Sequence, residues 1–243
     1  MKKILILIAS LAISFSVIAQ QAPEGSFTSF HVKASNPTEY TEFLRANAEQ
    51  VFGSQGSYAA GVCITASGHS YPGEMFVWSA FSSFEDQLSG NYDPYNVPKR
   101  LESLRDLVYS ANWKPLKGFE LSPGFERATR VVVAPENLPA YIAAGVEMES
   151  AIQNAGHDFN LAIMQSIGSG PKEVGTLMVR GISKDGAAVG QLVDEYFAGA
   201  EWGRAYDAFV ALQDSVVADS YDCLLYTSPS PRDVKRSRMP SSA

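Results

Sequence analysis

The strongest constraint on the fold is an order of sequence signals that occurs twice along the chain. Each half starts with a short strand pattern and a helix pattern, followed by two strand patterns around a turn rich in Gly and Pro. A second helix pattern then comes in both halves. Landmark residues recur at an offset of 101 or 102 positions: Tyr40 and Tyr141, Gly73 and Gly175, Val77 and Val179, and Leu107-Val108 and Phe209-Val210. This self-similarity predicts two copies of one supersecondary unit, and two unrelated α+β domains are the alternative.

The first half contains clear helix-start chemistry. Asn36 is a favoured N-cap residue, Pro37 suits the first helical position, and Glu39 can complete a capping box. Helical spacing then continues to Val51, and Gly53 ends the helix. The other elements predicted in this half are strands over 27–33, 58–65, 74–81 and 116–121 and a helix over 98–113 with Leu101, Leu104, Leu107 and Val108 on one face.

The second half repeats this order. A helix is predicted over 137–154, closed by Gly156. A Gly-containing stretch over 186–199 leads to another helix, which carries Trp202 and Phe209. The strands predicted here are 129–134, 159–167 and 174–182.

Each half therefore has the β-α-β-β-α-β order of the split βαβ motif. The pattern resembles the dimeric α+β barrel superfamily, whose ferredoxin-like units include the antibiotic-biosynthesis-monooxygenase and stress-responsive barrel types. The resemblance covers nearly all of residues 26–222 and rests on element order. It implies two tandem units, 26–122 and 127–222, with facing sheets and outer helices. We therefore expect an α+β fold that forms an intramolecular barrel, a monomer with an internal pseudo-dimer.

The N-terminus has the pattern of a secretory signal. Lys2 and Lys3 form a positive region, residues 4–18 are apolar apart from serines, and Val17-Ile18-Ala19 suits a signal peptidase. We predict cleavage after residue 19 and a periplasmic or secreted protein. An uncleaved membrane anchor is the alternative, although the apolar run is shorter than the roughly 20 residues that span a bilayer.

The sequence changes character abruptly at Cys223. Residues 223–243 are basic and rich in Ser and Pro, and they resemble the in-frame translation of a sequencing adapter, with CLLYTSPSPRD and SRMPSSA as the two matching segments. We interpret them as an artefact and expect them to be disordered. A natural disordered basic tail is the alternative.

Charge and cysteine content limit the partners of the remaining chain. Residues 20–222 hold 13 Lys and Arg against 25 Asp and Glu, a net charge of −12. Nucleic acid requires a basic surface, so we expect no nucleic-acid partner, and we expect no membrane contact after signal cleavage. Cys63 is the one cysteine in this range, which excludes an internal disulfide there, and its apolar surroundings predict a buried thiol.

Polar and aromatic residues inside strands are the candidate site residues. Alternation in the first strand puts Phe30 and Val32 on one face and His31 on the other, so His31 faces the barrel interior if the first pair meets the helices. Trp78, on the neighbouring third strand, is predicted to line the same pocket. Arg180 is its counterpart in the second half and is predicted to line a matching pocket near Gln165. A buried arginine needs an acidic ligand or an internal carboxylate.

Three functional hypotheses remain open. The first is a binding protein for a small apolar or weakly acidic molecule, held by His31, Trp78, Gln165 and Arg180. The second is an enzyme, because the resemblance implies cofactor-free monooxygenases and haem-linked enzymes as relatives; His31 would be the base or axial ligand and Trp78 a stacking wall. The third is a structural or interaction role with the interior filled by side chains. The residues themselves predict no metal site and no cofactor, and haem enters through the resemblance alone.

Overall fold

A computed structural model describes residues 23–90 and 97–228. The predicted signal segment at 1–19 and the last part of the tail, 229–243, lie outside the described residues. The strands are β1 (Ser26–Ala34), β2 (Ala59–Ser67), β3 (Glu74–Phe81), β4 (Arg105–Lys117), β5 (Gly124–Val132), β6 (Phe159–Ser166), β7 (Leu177–Ser183) and β8 (Ser215–Ser228). The α-helices are α1 (Pro37–Ala46), α2 (Ala48–Val51), α3 (Phe84–Ser89), α4 (Lys99–Leu104), α5 (Leu138–Asn154), α6 (Gly170–Glu173), α7 (Gly186–Phe197) and α8 (Gly203–Val210).

The eight strands form one closed antiparallel barrel in the order β1-β3-β2-β8-β5-β7-β6-β4. Each half supplies a four-stranded sheet with the same internal order, β4-β1-β3-β2 in the first unit and β8-β5-β7-β6 in the second. Pairing of β2 with β8 and of β4 with β6 joins the two sheets. The predicted fold class, two tandem ferredoxin-like units closed into an intramolecular α+β barrel, is therefore confirmed.

Side chains that point inward and outward from the barrel form separate cores, as the two-residue period of a strand requires. The interior core combines aromatic residues with methionines and contains Trp113 and Met164. Outside the barrel, α1 and α4 cover the first unit through Leu44 and Leu101. On the second unit α5, α7 and α8 cover the sheet through residues that include Tyr141, the counterpart of Tyr40.

The first helix begins as predicted. The Asn36 side chain accepts a hydrogen bond from the backbone N–H of Glu39 at 3.2 Å, and Pro37 occupies the first helical turn. The reciprocal half of the capping box is replaced by another contact, because the Glu39 carboxylate pairs with the Arg100 guanidinium at the surface.

The predicted helix over 98–113 is wrong for most of its length. The helix α4 ends at Leu104, and β4 begins at Arg105. Every second side chain from Ala111 onward in β4 is buried, because this strand pairs with β1 on one side and with β6 on the other to close the barrel. The strand predicted over 116–121 is only the end of β4. Leu107-Val108 is therefore no counterpart of Phe209-Val210, which lies in α8.

The last strand continues beyond the predicted start of the disordered tail. β8 runs to Ser228, and its backbone pairs with β2 through partners such as Cys223 with Ile64. Disorder is thus not found for residues 223–228, because the edge of β2 offers ladder hydrogen bonds that any non-proline backbone can take. The adapter origin of the tail stays a prediction. In the part of the chain described, each helix falls short of the length and apolarity needed to cross a bilayer.

Candidate functional site

A cavity of about 640 Å³ lies between the outer face of the second sheet and the helices α5, α7 and α8. Its walls are mainly aliphatic and aromatic side chains, which include Met148, Leu161, Val179, Leu192 and Phe209. Apolar walls of this kind and a volume of several hundred cubic ångströms are typical of small-molecule sites.

Aromatic side chains from α7 and α8 surround the entrance of this cavity. The Tyr196 and Tyr206 rings meet edge to face with their centroids 5.0 Å apart, and Trp202 lies 6.1 Å from Tyr196. Phe197 is 82% exposed and also lines the cavity, together with the exposed Val216 of β8. Exposed apolar side chains at a cavity entrance offer contact surface to an incoming apolar molecule.

Few polar groups reach this cavity. The Ser183 hydroxyl is buried and has no hydrogen-bond partner among the described residues. Arg127 donates to the Tyr206 hydroxyl at 3.1 Å and forms a two-pronged pair with the Asp219 carboxylate at 2.9 and 2.6 Å. Ser183 therefore supplies one unsatisfied donor and acceptor, which a ligand oxygen or nitrogen can satisfy.

The structure places His31 and Trp78 inside the barrel, away from this cavity. Phe30 and Val32 face the helices, so the predicted inward orientation of His31 is confirmed. The His31 ring stacks on Tyr109 with centroids 4.0 Å apart, and Phe76 lies 5.3 Å from it. The space on the faces of His31 is thus occupied by aromatic side chains, and Trp78 packs in the same interior core.

The polar surroundings of His31 contain a carboxylate that sequence reasoning missed. The His31 Nε2 atom lies 3.2 Å from Ser29 Oγ and 3.9 Å from Glu173 Oε1. Burial, reinforced by the positive charge of Arg130, holds the pKa of His31 well below its ordinary value, so the ring is neutral at neutral pH. The sequence signal for Glu173 is weak, because it is a single acidic residue in a Gly-containing connection between strands.

Of the two partners that the sequence allows for Arg180, an acidic ligand or an internal carboxylate, the structure shows an internal carboxylate. Its guanidinium is paired with Glu126 across β5 and β7, and its Nη2 atom lies 3.6 Å from the buried Cys63 sulfur. Cys63 is buried as predicted, and burial, together with Glu126, raises the pKa of its thiol well above the ordinary value. Gln165 is exposed on the outer face of β6, so the structure does not bring it to Arg180.

Neither the helix–sheet cavity nor the surroundings of His31 fit the haem that the superfamily resemblance implies. Among the described residues that line the cavity there is no His or Cys, the residues that most often ligate haem iron. The hydroxyls of the tyrosines at its entrance bond to Arg127 and Asp207 instead. Around His31 the ring faces are covered. Within 23–90 and 97–228 no group of three or more His, Cys, Asp or Glu side chains is arranged to hold a metal ion.

Solved structures of similar architecture support the fold. A proposed monooxygenase from Lactobacillus acidophilus aligns with a TM-score of 0.57 at 8% identity, over 84% of this chain and 95% of that one. One from Fusobacterium nucleatum gives a TM-score of 0.54 at 12% identity, over 86% and 94%. A variant of chlorite dismutase from Candidatus Nitrospira defluvii gives 0.52 at 10% identity, over 88% and 95%. No protein-family model and no curated protein sequence match the chain. These TM-scores show that the chain shares the ferredoxin-like α+β fold of these proteins. Sequence identities this low leave the chemistry of the chain open.

Proposed function

We propose that this protein binds a small, mainly apolar molecule in the cavity between the second sheet and its helices, and that it does so as an exported monomer. The observation that carries the proposal is the cavity itself, about 640 Å³ of space with apolar walls and an unsatisfied polar group. Because one chain closes the barrel by itself, no second copy is needed to complete the site.

The two units provide an internal comparison. The corresponding space of the first unit, beside Val77, measures about 20 Å³, because side chains such as Tyr40, Leu44 and Phe52 fill it. The same topology thus exists once with a filled helix–sheet interface and once with an open one. A cavity of this size carries a stability cost, so its presence in one unit favours a role in binding.

The buried Ser183 hydroxyl indicates which polar group the ligand carries. Ser183 lies at the end of β7 and contributes a buried hydroxyl to walls that are otherwise mostly apolar. A molecule with one hydroxyl, carbonyl or amide group on an apolar body would satisfy this hydroxyl and bury its remaining surface.

Native mass spectrometry of the protein purified from the exported fraction tests the proposal. We expect a small molecule that co-purifies with the intact chain and is released on denaturation. A gentle purification that yields ligand-free protein, together with failure of an apolar fluorescent probe such as 1-anilinonaphthalene-8-sulfonate to bind saturably, would overturn it. Cell fractionation and N-terminal sequencing test export, with a mature start near Gln20 as the expected result.

An oxygen-using enzyme of the same fold is the second candidate. The hydrogen-bonded Arg127 and Tyr206 are the polar pair at the cavity that would act on a bound substrate, whereas His31 has no open space beside its ring. Oxygen uptake with the co-purifying molecule as substrate tests this candidate. Turnover that is lost in Tyr206→Phe would favour the enzyme, whereas binding without oxygen uptake favours the binding protein.

A further inference from the structure

A second cluster of polar groups closes one end of the barrel, away from the cavity. The Glu173 carboxylate comes from α6, in the connection between β6 and β7, and is nearly inaccessible to solvent. It accepts hydrogen bonds from the Tyr109 hydroxyl at 2.8 Å and from Arg130 Nε at 2.9 Å. The Thr176 hydroxyl lies 3.3 Å from the same carboxylate.

Most of these donors are held by the barrel and not by the connection that carries Glu173. Arg130 on β5 lies over the Trp113 ring, 5.0 Å from its centroid, and Tyr109 on β4 stacks on His31. Trp113 donates in turn to Ser29 at 2.8 Å. Stacking and hydrogen bonds therefore orient a guanidinium and a hydroxyl for a carboxylate, whichever molecule supplies it.

One further hydroxyl at this end of the barrel is unused. Tyr71 occupies the corresponding strand connection of the first unit, and its hydroxyl is buried without a hydrogen-bond partner among the described residues. It is close enough to Tyr109 to contribute, after burial and the Glu173 carboxylate, to a raised pKa of Tyr109. The donor set is thus larger than Glu173 alone satisfies.

The connection that carries Glu173 is a short turn rich in glycine. Gly168, Gly170 and Gly175 have φ angles of 65°, 65° and 79°, which few other residues adopt, and they stand on both sides of Glu173. A side chain at Gly170 or Gly175 would meet nothing within 4 Å, so these two positions border open space. The Ser169 hydroxyl, next to Gly170, holds the connection to β4 through hydrogen bonds with the backbone of Asn112 at 2.8 and 3.0 Å, and these bonds must break when the connection opens. Val174 beside Glu173 is exposed. We define residues 167–176 as the strap.

We propose that this end of the barrel is a binding site for a small external carboxylate, and that the chain closes it with its own Glu173 carboxylate. When the strap swings out, an external carboxylate takes over the bonds to Arg130 and Tyr109. The exchange leaves the buried guanidinium paired, so it avoids the cost of an uncompensated buried charge. An attached carboxylate competes at a high effective concentration, so the intact chain responds weakly and a chain without Glu173 responds strongly.

Glu173→Ala tests this proposal with sodium acetate as the probe and sodium chloride of equal ionic strength as the control. We expect acetate to raise the Tm of Glu173→Ala saturably, with half-saturation at an acetate concentration about tenfold or more below that needed by the wild type. The double variant Glu173→Ala/Arg130→Gln keeps the space and lacks the guanidinium, and we expect it to lose the acetate response. Equal effects of acetate and chloride on Glu173→Ala, or an unchanged response in the double variant, would overturn the proposal.

If Glu173→Ala does not fold, hydrogen exchange on the wild-type protein tests the proposed carboxylate site. Acetate is expected to speed exchange of the strap amides, 167–176, relative to chloride, while the connection at 155–158, at the opposite end of β6, serves as the internal reference. Identical strap exchange in the two salts would contradict the proposal. Neither experiment involves the helix–sheet cavity, so its outcome is separate from that of the proposed function.

Discussion

Arg180 and Glu126 form a two-pronged ion pair in the interior of the barrel, with Nε–Oε2 and Nη2–Oε1 distances of 2.7 and 3.0 Å. Both side chains are almost completely buried, at 3% and 0% exposure. Removing two charges from water costs free energy that their attraction repays only when each remains paired. The pair therefore makes the interior sensitive to the loss of either partner.

We expect Glu126→Gln to lower the free energy of unfolding by about 3–5 kcal/mol, because it leaves the Arg180 charge buried without its carboxylate. The double variant Glu126→Leu/Arg180→Met removes both charges and should be markedly more stable than the single variant. Urea unfolding at pH 7 measures both. A single variant within 1 kcal/mol of the wild type would contradict this account.

The raised pKa of Asp222 predicts that the stability of the protein depends on pH. Burial, followed by the nearby Glu126 charge, raises the pKa of Asp222 from 3.8 to about 6. The folded chain then holds a proton between about pH 4 and pH 6 that the unfolded chain has lost, so this group makes stability fall as pH rises through that window. We expect Asp222→Asn to remove this contribution and to stabilise the protein by about 3 kcal/mol at pH 7.

Urea unfolding of wild type and Asp222→Asn between pH 4 and pH 8 checks this prediction. The exposed Asp158 provides the control, since Asp158→Asn should leave the difference between pH 4 and pH 7 unchanged. Parallel pH curves for wild type and Asp222→Asn would show that Asp222 is not the source of the dependence.

The two units allow a matched test of the cavity. Val179 and its counterpart Val77 occupy equivalent outward positions on β7 and β3, but only Val179 borders the large cavity. Val179→Phe should therefore fill open space, change stability by less than about 1 kcal/mol and reduce ligand binding at least about tenfold. Val77→Phe should overpack the first unit and cost about 1–3 kcal/mol. Thermal unfolding and a binding titration with 1-anilinonaphthalene-8-sulfonate compare them; equal destabilisation by the two variants would argue against usable space in the second unit.

Ser183 should contribute a hydrogen bond to the co-purifying molecule. We expect Ser183→Ala to weaken its binding by about two- to tenfold, which is the range of a neutral hydrogen bond. Ser79→Ala is the control, because Ser79 also carries a buried hydroxyl without a partner among the described residues but belongs to the first unit. Isothermal titration calorimetry compares the two variants, and equal affinities for both would remove Ser183 from the site.

The local patterns of the sequence were informative wherever neighbouring residues decide the outcome. The cap at Asn36 forms as predicted because an N-cap needs only the next few residues. The inward orientation of His31 follows from the two-residue period of a strand. By contrast, the leucines after Pro98 fit a helix locally, whereas closure of the barrel draws Arg105 and the residues after it into β4.

The candidate site depended on contacts between distant parts of the chain. Gln165 and Arg180 lie on neighbouring strands, yet register and alternation put them on opposite faces of the sheet. Glu173 meets His31, 142 positions earlier in the chain, only because both reach one end of a closed barrel. The cavity depends on how three helices settle on one sheet, which sequence periodicity cannot specify.

By itself, then, the sequence determined the order of elements, their repetition and the faces of the first strands, because these follow from spacing along the chain. The tertiary structure alone decided that a strand, β4, forms where a helix is predicted and that Arg180 pairs with Glu126. It also decided that the open space lies outside the barrel, between the sheet and the helices of the second unit. These outcomes depend on how strands and helices that are far apart in sequence pack against each other, and such packing leaves no pattern in the local sequence.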